Sequence, residues 1–220
     1  MAKAGACKKT IGKKQPDTGY VKQEGGSGSS PWINPGVSAA SFWMRVNMYG
    51  IETGENECPV IVKENAKNVI GVNDIMNPHA IVDIAKRLLN LERKVEEYLY
   101  LFAVRGSKLQ GVFEVSHGSV DLSVAEPQQI FTRLLLAGAN KFILLHNHPG
   151  GNKNPSAEDM NVTSRLVVFG EFCGIKCLDH IILTSDGDYF SFAEEGLIDE
   201  YRNHSKDFMR TAMSQLRCQK

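Results

Sequence analysis

The sequence predicts an α+β fold, an α-β-α layering in which helices cover both faces of a mixed sheet. Three observations carry this reading. Strand-length apolar runs alternate with stripes at three- and four-residue spacing, hairpin signals stand near both ends of that series, and residues 98–105 are apolar on both faces, as a central strand has to be.

The elements follow one another from about residue 59, where Pro59, Val60, Ile61 and Val62 make a short strand. Asn77 before Pro78 marks a helix start, and Ile81, Ile84, Leu88, Leu91 and Val95 recur on one helical face. Residues 98–105 and 109–116 are two strands split by Gly106, Ser107 and Lys108, a hairpin signal. Pro127 opens a second helix whose buried stripe is Ile130, Phe131, Leu134 and Leu135, and Gly138 closes it. Residues 141–145 are an apolar strand running into His146. Residues 156–173 read as a third helix with Val162, Leu166, Phe169 and Gly170 on one side, stopped at Gly174. A strand at 177–184, a turn at Asp186 and Gly187 and a last strand at 188–192 complete the series. From Gly196 onward, Ile198, Tyr201, Phe208, Met213 and Leu216 have loosely helical spacing, so residues 196–220 are expected to form a C-terminal helix that packs on the domain.

Upstream, residues 1–30 carry Lys3, Lys8, Lys9, Lys13, Lys14 and Lys22, followed by Gly25, Gly26, Ser27, Gly28, Ser29 and Ser30. So few apolar groups cannot offset the ordering entropy, and the segment reads as a disordered tail or flexible linker, or else as a basic arm. Residues 31–58 contain Trp32, Phe42, Trp43 and Met44 but show no period, and no element is assigned to them.

Composition bounds the function. The 220 residues hold 25 basic and 25 acidic side chains, so charge gives no support for nucleic-acid binding, and 42% hydrophobic content is enough for a real core. No apolar run approaches the roughly 20 residues needed to span a bilayer, and no signal-peptide core stands at the N-terminus, so a cytoplasmic location is expected. Five widely spaced cysteines, Cys7, Cys58, Cys173, Cys177 and Cys218, do not form a disulfide framework. Cys173 and Cys177 are read as buried structural thiols. The sequence leaves the oligomeric state open.

The chemistry concentrates at 146–159. His146, Asn147 and His148 leave the apolar strand, Pro149, Gly150 and Gly151 bend the chain, and Pro155 with Ser156 starts the third helix, with Asp159 three residues beyond its cap. Two imidazoles and a carboxylate are three metal-ligand types able to converge on one ion. Three protein ligands leave a fourth corner for water, as a catalytic zinc site needs. Ser156 and Asp159 are equally an ordinary capping pair, and the residues alone leave both readings of Asp159 open. His180 in a later strand is structural or supports a ligand, because a fourth protein group would close the site.

His-x-His, seven residues, then Ser-x-x-Asp is a spacing similar to the signature of the JAB/MPN+ (JAMM) metalloproteases. His-Asn-His-Pro and the segment Leu178, Asp179, His180, Ile181, Ile182 resemble the RadC branch. The resemblance covers about residues 59–195 and implies a JAB/MPN, cytidine-deaminase-like fold. It also implies Zn2+ held by His146, His148 and Asp159, with Ser156 stabilising a tetrahedral intermediate and an upstream glutamate as general base. Glu114 fits that role by its place on a strand upstream of Gly118 and Ser119, although its alternating pattern alone would turn it to solvent. Glu52, Glu64, Glu96, Glu97 and Glu126 are poorer candidates, assigned to loops or helices.

The expected activity is therefore zinc-dependent hydrolysis of a peptide or isopeptide bond in a protein or peptide substrate. The sequence departs from the family twice: no helix-hairpin-helix module precedes the domain, which weakens a DNA-repair reading, and Gly150–Gly151 stands where Ser-Gly is usual. An HNH nuclease spreads its residues over a longer unit, and a zinc nucleobase deaminase requires His-x-Glu and Pro-Cys-x-x-Cys, both missing here. The remaining alternative is a RadC-type binding scaffold for DNA-repair or mobile-element proteins in which the metal is structural.

Overall fold

Strand-forming and helix-forming segments alternate along most of this chain, and the computed structural model joins the strands into one seven-stranded mixed sheet. It describes residues 43–70, 75, 77–118 and 125–217. The reading of residues 1–30 as a tail lies outside the described residues. The strands are β1 (Trp43–Thr53), β2 (Pro59–Ile70), β3 (Glu97–Arg105), β4 (Lys108–Gly118), β5 (Lys141–His148), β6 (Lys176–Thr184) and β7 (Tyr189–Ser191). The helices are α1 (Pro78–Ile84), α2 (Pro127–Leu136), α3 (Ala157–Cys173) and α4 (Leu197–Arg217). The order across the sheet is β2-β1-β4-β3-β5-β6-β7, with β5–β6 and β1–β4 parallel and the other neighbours antiparallel.

The strand that is apolar on both faces, β3, occupies the middle of that order. Its alternate residues enter two cores. Leu99, Leu101 and Ala103 pack with Ile130, Phe131 and Leu134 of α2 and with Val162, Leu166 and Val167 of α3. Tyr100, Phe102 and Val104 pack on the opposite side with Ile81, Val82 and Ile84 of α1. The α-β-α layering follows from this period-two division of one strand between two helical layers.

Several expectations change in detail. Residues 31–58, given no element, contain β1, whose pairing with β2 and β4 places the start of the sheet upstream of residue 59. The α1 face does not reach Val95: the chain leaves the α-helix through a π turn at Ala85–Leu89, Asn90 takes a left-handed conformation (φ 49°), and Val95 is 90% exposed. Leu135 and Phe169, expected in buried stripes, are exposed, as are Phe208 and Met213 on α4, whereas Ile198 joins the core. Cys177 is buried but Cys173 is exposed. Among the described residues no helix is long and apolar enough to cross a membrane.

Candidate metal centre

Both histidines belong to β5, which ends at His148 and not at His146 as the sequence suggested. A strand turns side chains i and i+2 to one face, so both imidazoles project on the side of Leu99, the residue paired with His146 across the β3–β5 ladder. α3 starts on that face. Ser156 is its N-cap, accepting from the Asp159 N–H, while the Asp159 carboxylate accepts from the Ser156 N–H at 2.6 Å. The capping box that begins the helix therefore also aims Asp159 at the histidines, so the capping role, which the structure shows, is compatible with the ligand reading.

The ligating atoms of His146, His148 and Asp159 lie within 4.8 Å of one another. His146 Nε2 is 2.9 Å from His148 Nε2 and 3.2 Å from Asp159 Oδ1, and His148 Nε2 is 3.5 Å from Asp159 Oδ2. His146 and Asp159 are almost wholly buried, whereas His148 remains partly open to solvent. Asp159 Oδ1 is buried without a well-formed hydrogen bond, its neighbour His146 Nε2 standing 3.2 Å away, an arrangement that is costly unless a proton on the imidazole or a cation completes it. His148 Nδ1 lies 2.6 Å from the Asn152 carbonyl, which only accepts, so Nδ1 carries a proton, and in the neutral ring Nε2 offers its lone pair to the site. These donors fit a divalent ion. A mixed nitrogen and oxygen set is one that zinc accepts.

The three groups also perturb one another's titration. Burial lowers the pKa of His146, only partly opposed by Asp159. Burial also pulls at His148, but hydrogen bonding to Asp159 and to the Asn152 carbonyl outweighs it and raises its pKa. Burial disfavours the Asp159 charge, yet the two imidazoles hold the carboxyl far below the ordinary range. His180 lies outside the three-residue cluster. It is fully buried, which lowers its pKa well below the usual value, and its Nε2 sits 2.8 Å from His146 Nδ1, the nitrogen turned away from the site.

Glu114 is not brought to this cluster. It pairs with Tyr100, whose side chain enters the opposite core, and a register irregularity follows between Tyr100 and Leu99. Its carboxylate accepts from Tyr100 Oη at 3.0 Å and meets His117 Nδ1 at 2.8 Å. Of the glutamates weighed, Glu97 is the one whose strand position shares the histidine face. It opens β3, outside any loop or helix, two residues from Leu99 and hence on the same face. Its charge acts in the upward direction on both His146 and His148, behind burial and the Asp159 contacts in each case. Asn147 fixes the strand start, accepting from the Tyr98 N–H and donating to the Glu96 carbonyl. Ser156 Oγ donates to Asp159 Oδ2 at 2.7 Å, so in this arrangement it positions a ligand.

Comparison with known proteins agrees with the geometry. The RadC-like JAB domain matches residues 75–197. A UPF0758 protein of Clostridioides difficile is 37% identical over 126 residues, covering 56% of this chain and 52% of its own length. A UPF0758 protein of Trichlorobacter lovleyi is 39% identical over 122 residues, with 56% and 52% covered, and one of Methanosarcina acetivorans is 38% identical over 107 residues, with 49% and 46% covered. The chain spans about half the length of these relatives.

Proposed function

The chain belongs to the RadC-like JAB domain family, and from that premise we propose that it is a zinc-dependent hydrolase of a peptide or isopeptide bond in a protein or peptide substrate. The observation that carries this reading is the convergence of two imidazole nitrogens and the buried Asp159 carboxylate, whose Oδ1 has no well-formed hydrogen bond. His146, His148 and Asp159 would hold the ion, which supplies Lewis-acid polarisation of the scissile carbonyl and a water acidic near neutral pH.

The chain's own groups do the rest. Glu97 accepts the proton of the attacking water and returns it to the leaving amine, a role suited to a half-buried carboxylate on the same sheet face as the ligands. His148, partly open to solvent, marks the side from which substrate approaches. Ser156 orients Asp159, and its hydroxyl reaches an oxyanion only by turning from Oδ2. Incubating the zinc-loaded protein with a library of peptides and isopeptide-linked conjugates tests the reading. Cleavage abolished by a chelator and restored by Zn2+ is expected; a library left wholly intact would favour the RadC-type binding scaffold.

A further inference from the structure

Two buried side chains behind the cluster, Thr163 and His180, are not accounted for by ligation or by proton transfer to substrate. Thr163 is on α3 one turn after Asp159, and His180 is on β6; both are fully buried. Thr163 Oγ1 makes two short contacts, 2.5 Å to the Asp159 main-chain carbonyl and 2.6 Å to His180 Nδ1. A hydroxyl has one hydrogen, and a carbonyl oxygen can only accept it.

The proton positions follow by elimination. The Thr163 hydroxyl donates to the Asp159 carbonyl, so the contact with His180 requires an Nδ1–H that donates to Thr163 Oγ1. A neutral imidazole carrying its proton on Nδ1 presents a lone pair at Nε2. That lone pair faces His146 Nδ1 at 2.8 Å, so His146 Nδ1 is the donor. His146 Nε2 is then left bare, pointing at His148 Nε2 and Asp159 Oδ1. Two further contacts hold the relay ring in place. Phe192 stacks on His180 with ring centroids 5.0 Å apart and planes 14° apart, and the Phe192 N–H donates to the His180 carbonyl.

We propose that Thr163 and His180 are positioning residues that lock His146 in the Nδ1–H tautomer, so that its Nε2 lone pair is permanently directed at the metal. The anchor of the relay is a main-chain carbonyl, which cannot change protonation state, and it belongs to the ligand Asp159. One helical turn thus supplies a ligand and, through Thr163 and His180, sets the tautomer of a second ligand. Without the relay, His180 can place its proton on Nε2 and donate to His146 Nδ1, which moves the His146 proton to Nε2 and into the ion's place. The inference rests on His146, His148 and Asp159 being the metal ligands, but not on the hydrolytic activity.

The test uses Zn2+ alone and reads no turnover. Long-range 15N–1H correlation spectra of the metal-free wild type are expected to show His146 protonated at Nδ1. Thr163→Val keeps the side chain's shape and removes the acceptor for His180. Its Zn2+ affinity, measured by competition with a chromophoric chelator, is expected to fall about ten- to a hundredfold, the usual effect of removing a residue that orients a ligand. Thr163→Ser restores the hydroxyl and should restore both affinity and tautomer, separating the relay from a packing defect. A wild-type His146 carrying its proton on Nε2, or a folded Thr163→Val variant binding Zn2+ as tightly as wild type, overturns the relay and leaves the metal centre standing. Failure to cleave any substrate, with tautomer and affinities as expected, removes the hydrolase reading and leaves the relay standing.

Discussion

Leu99 and His146 face each other across the β3–β5 ladder, and this single pairing decides which glutamate shares a sheet face with the metal ligands. Counting two residues back from Leu99 along β3 gives Glu97 on that face, whereas Glu114 on β4 pairs with Tyr100 and belongs to the other.

Substituting each glutamate by glutamine separates the two candidates. Glu97→Gln keeps shape and polarity but cannot take a proton at neutral pH. It is expected to retain zinc while hydrolysis falls by roughly two to four orders of magnitude. Glu114→Gln should keep most of its turnover, because its contacts are with Tyr100 and His117 and an amide oxygen can still accept from them. Steady-state rates on any cleavable peptide decide it; the reverse pattern would return the role of base to Glu114.

A second expectation concerns pH. Burial pushes the Asp179 carboxyl up to about 6, against the opposing hydrogen bonds from Ser191 and from the Ala193 and His180 amides. From 3.8, its ordinary value, to about 6 the folded protein holds a proton that the unfolded chain has released. Its contribution to stability is therefore fully present below 3.8 and is lost as pH rises through about 6. Asp179→Asn removes this titration, so denaturant midpoints measured across that window should fall with pH more steeply in the wild type than in the variant. Parallel profiles would show that Asp179 titrates normally.

The close approach of α3 to the following strand gives a stability test. A Cβ on Gly170 would stand 2.4 Å from the Ile175 carbonyl oxygen, a backbone atom that cannot rotate away. Gly170→Ala should cost about 1–3 kcal/mol despite the better helix propensity of alanine, an overpacking penalty. At roughly 2–4 °C per kcal/mol for a chain of this size, calorimetry should show a Tm lower by several degrees. An unchanged or higher Tm would mean that the chain relaxes there at no cost.

The layering, the central strand and the members of the candidate metal cluster were legible in the sequence because each depends on local signals. Residues 98–105 carry apolar side chains at both parities, Ser156 and Asp159 have capping-box spacing, and His146 and His148 are separated by one residue. The place of Glu97 on the histidine face was not legible because it depends on strand pairing. Reading Glu97 as the first residue of the strand that holds Leu99 would have placed a carboxylate on one of that strand's two faces, but only the register with β5 says which face carries the histidines. Residues 43–53 were missed although Met44, Val46 and Met48 alternate with the polar Arg45 and Asn47: Trp43, Tyr49 and Ile51 add apolar residues at the other parity and blur the period over the whole segment. Val95 was misplaced because the left-handed turn at Asn90 ends a helical pattern that the spacing alone would continue.

Metal content tests the central claim most directly. Elemental analysis of the purified full chain is expected to find close to one zinc per chain in the wild type. A doubly substituted His146→Ala, His148→Ala variant, folded by circular dichroism, should hold almost none, because Asp159 alone supplies too few ligands. Zinc retained undiminished in that variant would contradict the assignment of the site.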